Sequence, residues 1–282
     1  MGHAGDNSIA GGCLVALMHW YAATVLEPAR ALKRAGWPIC SQLIGDAPDK
    51  LPIEGLGPRF STGNPGPVLL SHKTRHDHLV EEFDRMSEVY AEFVRPFSKP
   101  IFDEAVRVMS PWLSRNARLL DAGCGPGREL QQMARLVPEG EVVGIDLAAG
   151  MVVSAHRAAR AAGLDHCAFY QSDVGELPQE FNEQFDLVYS CLAHHHYPEP
   201  GIAAAAIFRC LRPGGIYCVV DPGPAWYNDI SAPIAKWADP GWIGFHTPEQ
   251  FRDLMANAGF ARTGWQELLP GFGLAIGQKA AV

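Results

Sequence analysis

The sequence predicts an α/β fold: a doubly wound, mostly parallel seven-stranded sheet, helices on both faces, and a helical extension in front. Three observations predict it. Leu119–Gly127 reads Leu-Leu-Asp-Ala-Gly-Cys-Gly-Pro-Gly, an apolar run ending on an acid and then glycines at alternate positions, with a helical pattern starting at Arg128. Apolar runs recur at Glu141–Asp146, Phe169–Asp173, Phe185–Ser190 and Ile216–Asp221, with helical patterns between most of them. Strands alternating with helices at that spacing give right-handed βαβ units and a parallel sheet. The 282 residues, 48% apolar and 19% charged, suit one large domain or one domain with an appendage.

Taken in order, residues 1–12 are small and polar. Cys13–Arg34 is helix-like, with Leu14, Leu17, Met18, Tyr21, Val25 and Leu26 near helical spacing. It is too short, and too interrupted by His19 and Glu27, to span a bilayer. No Lys or Arg precedes it, which argues against a secretory signal. Such a helix packs on the main domain or on a second subunit, so a homodimer stays open, as does a role in a substrate lid. Ser41–Leu70 is rich in Pro and Gly and reads as a linker or irregular arm. Residues 1–70 are therefore the extension and 71–282 the main domain.

From His72 the pattern turns helical, with Leu79, Phe83, Met86, Tyr90 and Phe93 on one stripe. Ile101–Leu113 is a second helix, leading into the first strand. After the glycine turn, Leu130, Met133, Ala134 and Leu136 mark one crossover helix, Met151–Ala162 a second and Ile202–Leu211 another. Leu211–Gly215 is a turn feeding Ile216–Asp221. Thr247 is placed to cap a helix through Ala258, with Pro248 in its first turn. Arg262–Leu269 and Phe272–Gln278 close the chain as a hairpin. Residues 222–246 form an insert holding Trp226, Tyr227, Trp237, Trp242 and Phe245. It lies at the carboxyl edge of the sheet, where aromatic rings either wall off a flat or lipophilic substrate or pack the insert down.

Composition narrows the function. The net charge is −8, and residues 1–60 balance five basic against five acidic side chains, so the excess acid lies in the main domain. That argues against DNA or RNA as a partner. The seven cysteines include no Cys-x-x-Cys pair and read as reduced thiols of a cytoplasmic protein, not a disulfide set or zinc site. His72, His76 and His78 have no second cluster to complete a metal site, and no metal is expected.

At the glycine turn the backbone adopts positive φ and lets a ligand approach with no Cβ in the way. Asp146, ending its strand, is placed to accept two hydrogen bonds from a ribose diol. A dinucleotide-binding fingerprint would need G-x-G-x-x-G, and counting from Gly123 puts Arg128 at the third glycine.

The set of strand-end acids around Asp121-Ala-Gly123-Cys-Gly125-Pro-Gly127 resembles the class I S-adenosylmethionine-dependent methyltransferases. The likeness is to their small-molecule branch, which includes quinone-type C-methyltransferases, and covers the chain from about Phe83. It implies a Rossmann-like methyltransferase fold with S-adenosyl-L-methionine as cofactor and a small-molecule methyl acceptor. Residue by residue, it implies that Gly123, Gly125 and Gly127 cradle the amino-acid end and sugar, and that Asp121 attracts the ammonium. Asp146, followed by Leu147, grips the ribose. Asp173 with the backbone of Val174 reads the adenine, Ser190 supplies backbone contacts, and Tyr90 closes over the cofactor or packs the core. Where the family often has Ala-Leu-His-His, this chain has Ala193-His194-His195-His196, so His194 departs from the pattern.

His195 is the candidate general base or substrate hydrogen-bonding group. His194, Asp221, Trp226 and Tyr227 are the other candidates for substrate contact. Leu269–Gly277 leans the resemblance toward carbon methylation. The alternatives are a non-catalytic S-adenosylmethionine-binding protein and an enzyme methylating protein or RNA.

Overall fold

The computed structural model describes residues 16, 18–35, 43–45, 66–69, 80, 83, 90–238 and 241–281. Its centre is one sheet of eight strands: β1 (Leu43–Gly45), β2 (Arg118–Ala122), β3 (Glu141–Asp146), β4 (Cys167–Gln171), β5 (Phe185–Cys191), β6 (Leu211–Pro222), β7 (Arg262–Leu269) and β8 (Phe272–Gln278). The order across the sheet is β1-β7-β8-β6-β5-β2-β3-β4. The five strands from β6 to β4 run parallel, and β8 is antiparallel to both β6 and β7. The seven expected strands are present, and β1 adds an eighth at one edge.

Among the described residues, seven α-helices flank the sheet: α1 (Glu27–Arg34), α2 (Tyr90–Met109), α3 (Arg128–Ala134), α4 (Ala149–Ala161), α5 (Pro200–Cys210), α6 (Ala225–Ala238) and α7 (Pro248–Asn257). They divide the core in two. Leu119, Val142 and Leu187 pack with Ile101, Phe102, Leu130, Met133 and Val152. Their chain neighbours Leu120, Val143 and Val188 pack on the other face with Ala203, Ile207, Phe251 and Met255. Alternate residues of a strand point to opposite faces, so a strand covered on both sides must be apolar throughout. β2 is buried at all five positions.

Four local expectations need correction. The two helices expected around Pro96 and Pro100 are joined in α2, with both prolines inside it. Each removes one helical N–H, but Phe97, Ile101, Phe102, Ala105 and Met109 bury the face that holds the helix down. It ends at Met109 in a tight turn, Ser110–Trp112, short of Leu113. The third parallel strand ends at Gln171, two residues before Asp173, which instead caps the short turn Val174–Glu176. β6 begins at Leu211, taking in the expected turn. The 222–246 insert contains helix α6, with Trp226, Ile230 and Trp237 turned outward.

The arm is not wholly irregular. β1 pairs antiparallel with β7 at one edge. At the other, Val68 bridges β4, its N–H donating to the Phe169 carbonyl at 2.9 Å and its carbonyl accepting from Gln171 at 2.7 Å. The N-terminal helix packs on the main domain: Arg30 pairs with Asp103, Lys33 Nζ donates to the Leu268 carbonyl at 2.8 Å, and Tyr21 donates to the Pro270 carbonyl at 2.8 Å. Thr247 caps α7 as expected, with a reciprocal bond pair to Gln250 of 3.3 and 2.8 Å.

Candidate active site

The cavity opens at the carboxyl ends of β2, β3 and β5, because parallel strands release their loops there. The turn after β2 is tied to the neighbouring strand: Gly123 and Cys124 N–H both donate to the Ile145 carbonyl, at 2.9 and 2.8 Å. Gly125 has φ +48°, and a Cβ there would meet nothing within 4 Å. The conformation demands glycine, and the space above it belongs to the cavity. Gly125 N–H donates to Asp146 Oδ2 at 2.8 Å, and Ala148 N–H donates to Asp146 Oδ1 at 2.9 Å. Two backbone donors thus fix this carboxylate, which has lone pairs for two more.

Asp173 caps a short turn, Val174–Glu176, its Oδ1 accepting from Gly175 N–H at 2.8 Å. Asp121, Gly123, Gly125, Asp146, Leu147, Asp173 and Val174 all line the one cavity.

Two expected cofactor residues, Gly127 and Ser190, do not. Gly127 is the left-handed residue before α3, where a Cβ would come within 2.9 Å of Ala155 Cβ. Ser190 is fully buried with its Oγ 3.0 Å from Tyr197 Oη. Tyr197 donates its one proton to the Ala122 carbonyl at 2.8 Å, so Ser190 donates to Tyr197. That chain locks β5 to β2. The side chain of Tyr90 lies outside the described residues.

The cavity also has walls the sequence reading missed: Arg95 and Ser98 of α2, Arg128 and Glu129 of α3, Cys191, and His196. Ser98 Oγ donates to Glu129 Oε1 at 3.0 Å. Burial pushes the Glu129 carboxyl up, while that bond and the charges of Arg95 and Arg128 draw it back.

Asp121 is 1% exposed, and its Oδ2 has no hydrogen-bond partner among the described residues. Burial raises its carboxyl well above the usual range, with Tyr189 beside it working the other way. A buried, half-satisfied carboxyl beside a cavity suits a cationic ligand group. Together with a diol-sized acceptor at Asp146 and open space over Gly125, these residues fit S-adenosylmethionine.

The histidines form a short helical turn, not the expected extended segment, and the turn sends them different ways. His195 Nδ1 lies 2.7 Å from Asp221 Oδ1, with its ring against His196 and Phe245. His196 reaches the cavity, and its Nδ1 donates to the Gly241 carbonyl at 3.0 Å. A carbonyl only accepts, so His196 Nδ1 carries a proton. His194 points inward among Tyr197, His246 and Phe251, 1% exposed and with neither ring nitrogen hydrogen-bonded among the described residues. Burial holds its imidazole well below the usual range.

Asp221 is fully buried behind His195. Trp226 is 52% exposed on α6, and Tyr227 packs against Tyr21 and Phe272. Neither aromatic lines the cavity, because α6 turns one to solvent and the other to the core. Among the described residues, no three His, Cys, Asp or Glu side chains converge to hold a metal ion.

This fold and site define an α/β protein with a cavity suited to a nucleoside at its strand ends. A family model described as a methyltransferase domain matches residues 113–259, more than half of the chain. The chain belongs to this family of S-adenosylmethionine-dependent methyltransferases. It is 34% identical over 150 residues to the ubiquinone biosynthesis O-methyltransferase of Ruegeria pomeroyi, covering 50% of this chain and 59% of that protein. It is 35% identical over 106 residues to the trans-aconitate 2-methyltransferase of Deinococcus radiodurans, covering 38% of each. The chain therefore spans well under two thirds of these relatives. A solved S-adenosylmethionine-dependent methyltransferase of Aquifex aeolicus shares its fold, with TM-score 0.53 at 17% identity, over 70% of this chain and 97% of that one.

Proposed function

We propose that this protein moves a methyl group from S-adenosylmethionine to a small aromatic or lipophilic acceptor by in-line displacement. The observation that carries the reading is the placing of Asp146 and Asp173 on one cavity with Gly125. When bound, the cofactor supplies an electrophilic methyl on a sulfonium. The residues of the chain do the rest. Asp146, already held by two N–H groups, receives the ribose hydroxyls. Asp121 receives the ammonium at a buried carboxyl, where a charge pair is strong. Asp173 and the Val174 backbone read the adenine.

The relative from Ruegeria is named for oxygen methylation, so oxygen is the atom we favour over the carbon suggested by Leu269–Gly277. An oxygen nucleophile must lose a proton; His195, held by Asp221 at 2.7 Å, is the base expected from the sequence, but His196 is the histidine of the triplet that lines the cofactor cavity and is the base we favour. Residues 71–282 are taken as the catalytic unit and 1–70 as its extension. The five described cysteines are free, which supports a reducing, cytoplasmic setting. No described helix is long and apolar enough to cross a membrane.

Calorimetric titration with S-adenosylhomocysteine is the test. The wild-type chain is expected to bind, and Asp146→Ala to bind at least about tenfold more weakly, the value of losing charge-assisted hydrogen bonds. Absence of binding by the folded wild-type chain, or equal affinity for the two proteins, would remove the reading.

A further inference from the structure

A second cavity abuts the first, and its chemistry differs from that of a nucleoside site. It is an open groove of about 640 Å³ between the N-terminal helical segment and α2. That is within the roughly 300–1,000 Å³ usual for small-molecule sites. Its buried floor includes Ala22 and Pro100; its rim carries Arg95, Lys99 and Arg128 against the single carboxylate of Glu27 among the described residues. In a chain of net charge −8 this is a local excess of cations. Arg95 and Lys99 stand four residues apart on α2 and so share a helix face.

Two partners already account for some of this charge. Glu27 faces Arg30 at 3.6 Å, and Lys99 faces Asp103 at 2.7 Å. Arg95 and Arg128 make neither a hydrogen bond nor an ion pair with the described residues; they act on Glu129 only through space. Both also line the cofactor cavity, so they form the wall the two spaces share. Guanidinium groups at a shared wall suit planar anionic oxygens.

We propose that this groove is an anion-binding acceptor site: it takes a small organic anion, a carboxylate or phosphate ester with a flat apolar body. The anionic end lies against Arg95 and Lys99, and the body lies along the proline and alanine floor. The proposal rests on the methyltransferase reading for its role as acceptor site, and its test separates the two.

The full chain is titrated with benzoate, phenyl phosphate and uncharged benzyl alcohol, and separately with S-adenosylhomocysteine, by calorimetry and ligand-observed NMR. At least one anion is expected to bind about tenfold more tightly than the alcohol, with affinity falling as salt rises. Comparing benzoate with phenyl phosphate tells a carboxylate from a phosphate site. Lys99→Gln and Ala23→Trp alter the groove without touching the cofactor cavity. The first is expected to weaken anion binding severalfold and the second to abolish it, both leaving S-adenosylhomocysteine affinity unchanged.

Equal binding of alcohol and anions, or no binding of either anion, overturns the proposal. So does competition between S-adenosylhomocysteine and the anion, which would assign the arginines to the carboxylate of the cofactor itself. Failure of S-adenosylhomocysteine alone would remove the methyltransferase reading, while benzoate binding lost in Lys99→Gln would still establish the anion site.

Discussion

At the scale of single residues, the site is maintained against stability. Asp121 is buried with one oxygen unpartnered, so its carboxyl holds a proton more tightly in the folded chain than in the unfolded one. For a raised carboxyl, stability falls as pH climbs past the unfolded value, because charging the group costs more in the fold. Asp121→Asn is therefore expected to stabilise the cofactor-free protein near neutral pH by about 1–3 kcal/mol. It should weaken S-adenosylmethionine binding in the same stroke. Thermal unfolding with and without cofactor checks both halves; a variant destabilised at every pH would contradict the assignment.

His194 works with the opposite sign. Its imidazole is lowered by burial, and by the charges of His246 and His195. The folded state refuses a proton that the unfolded chain accepts, so stability is full above the ordinary imidazole value and falls as pH drops below it. His194→Phe keeps the ring contacts with Tyr197 and Phe251. It should flatten the acid-side slope of unfolding free energy by up to about 1.4 kcal/mol per pH unit, the value for one proton. His246 and His156 are lowered as well and should leave a residual slope.

At the scale of elements, what could be read from sequence is what is local. Asp121, Gly125 and Asp146 come together because a strand, a tight turn and a neighbouring parallel strand have one steric solution, and each carries its signal within a few residues. The Thr247 cap was legible for the same reason, since one hydroxyl and one Gln three residues on complete it. Thr247→Ala is expected to cost about 0.5–2 kcal/mol in denaturant unfolding with cofactor affinity unchanged. Three features were not legible. The continuity of α2 through Pro96 and Pro100 depends on burial against β-strands far along the chain. The split of the histidine triplet depends on Asp221 and Gly241, which are 26 residues from His195 and 45 from His196. The outward turn of Trp226 and inward turn of Tyr227 depend on a helix whose register no short pattern announced.

At the scale of the molecule, Leu43–Gly45 and Val68 hold the two ends of the sheet. β1 occupies the backbone groups of β7, and Val68 those of β4, so neither outer strand offers a long bare row of donors and acceptors. Exposed edges invite pairing with another chain. Deleting residues 1–45 uncovers the β7 edge and removes the contacts of Tyr21, Arg30 and Lys33. The truncated chain is expected to melt earlier and to self-associate, read by calorimetry and light scattering. The described residues lining the cofactor cavity all lie at or beyond Phe83, so S-adenosylhomocysteine affinity should survive. The anion groove, by contrast, takes one wall from Ala22 and Glu27, and benzoate binding should vanish with it. Loss of both ligands together would mean that the extension shapes the cofactor site as well, and that the two cavities are one device.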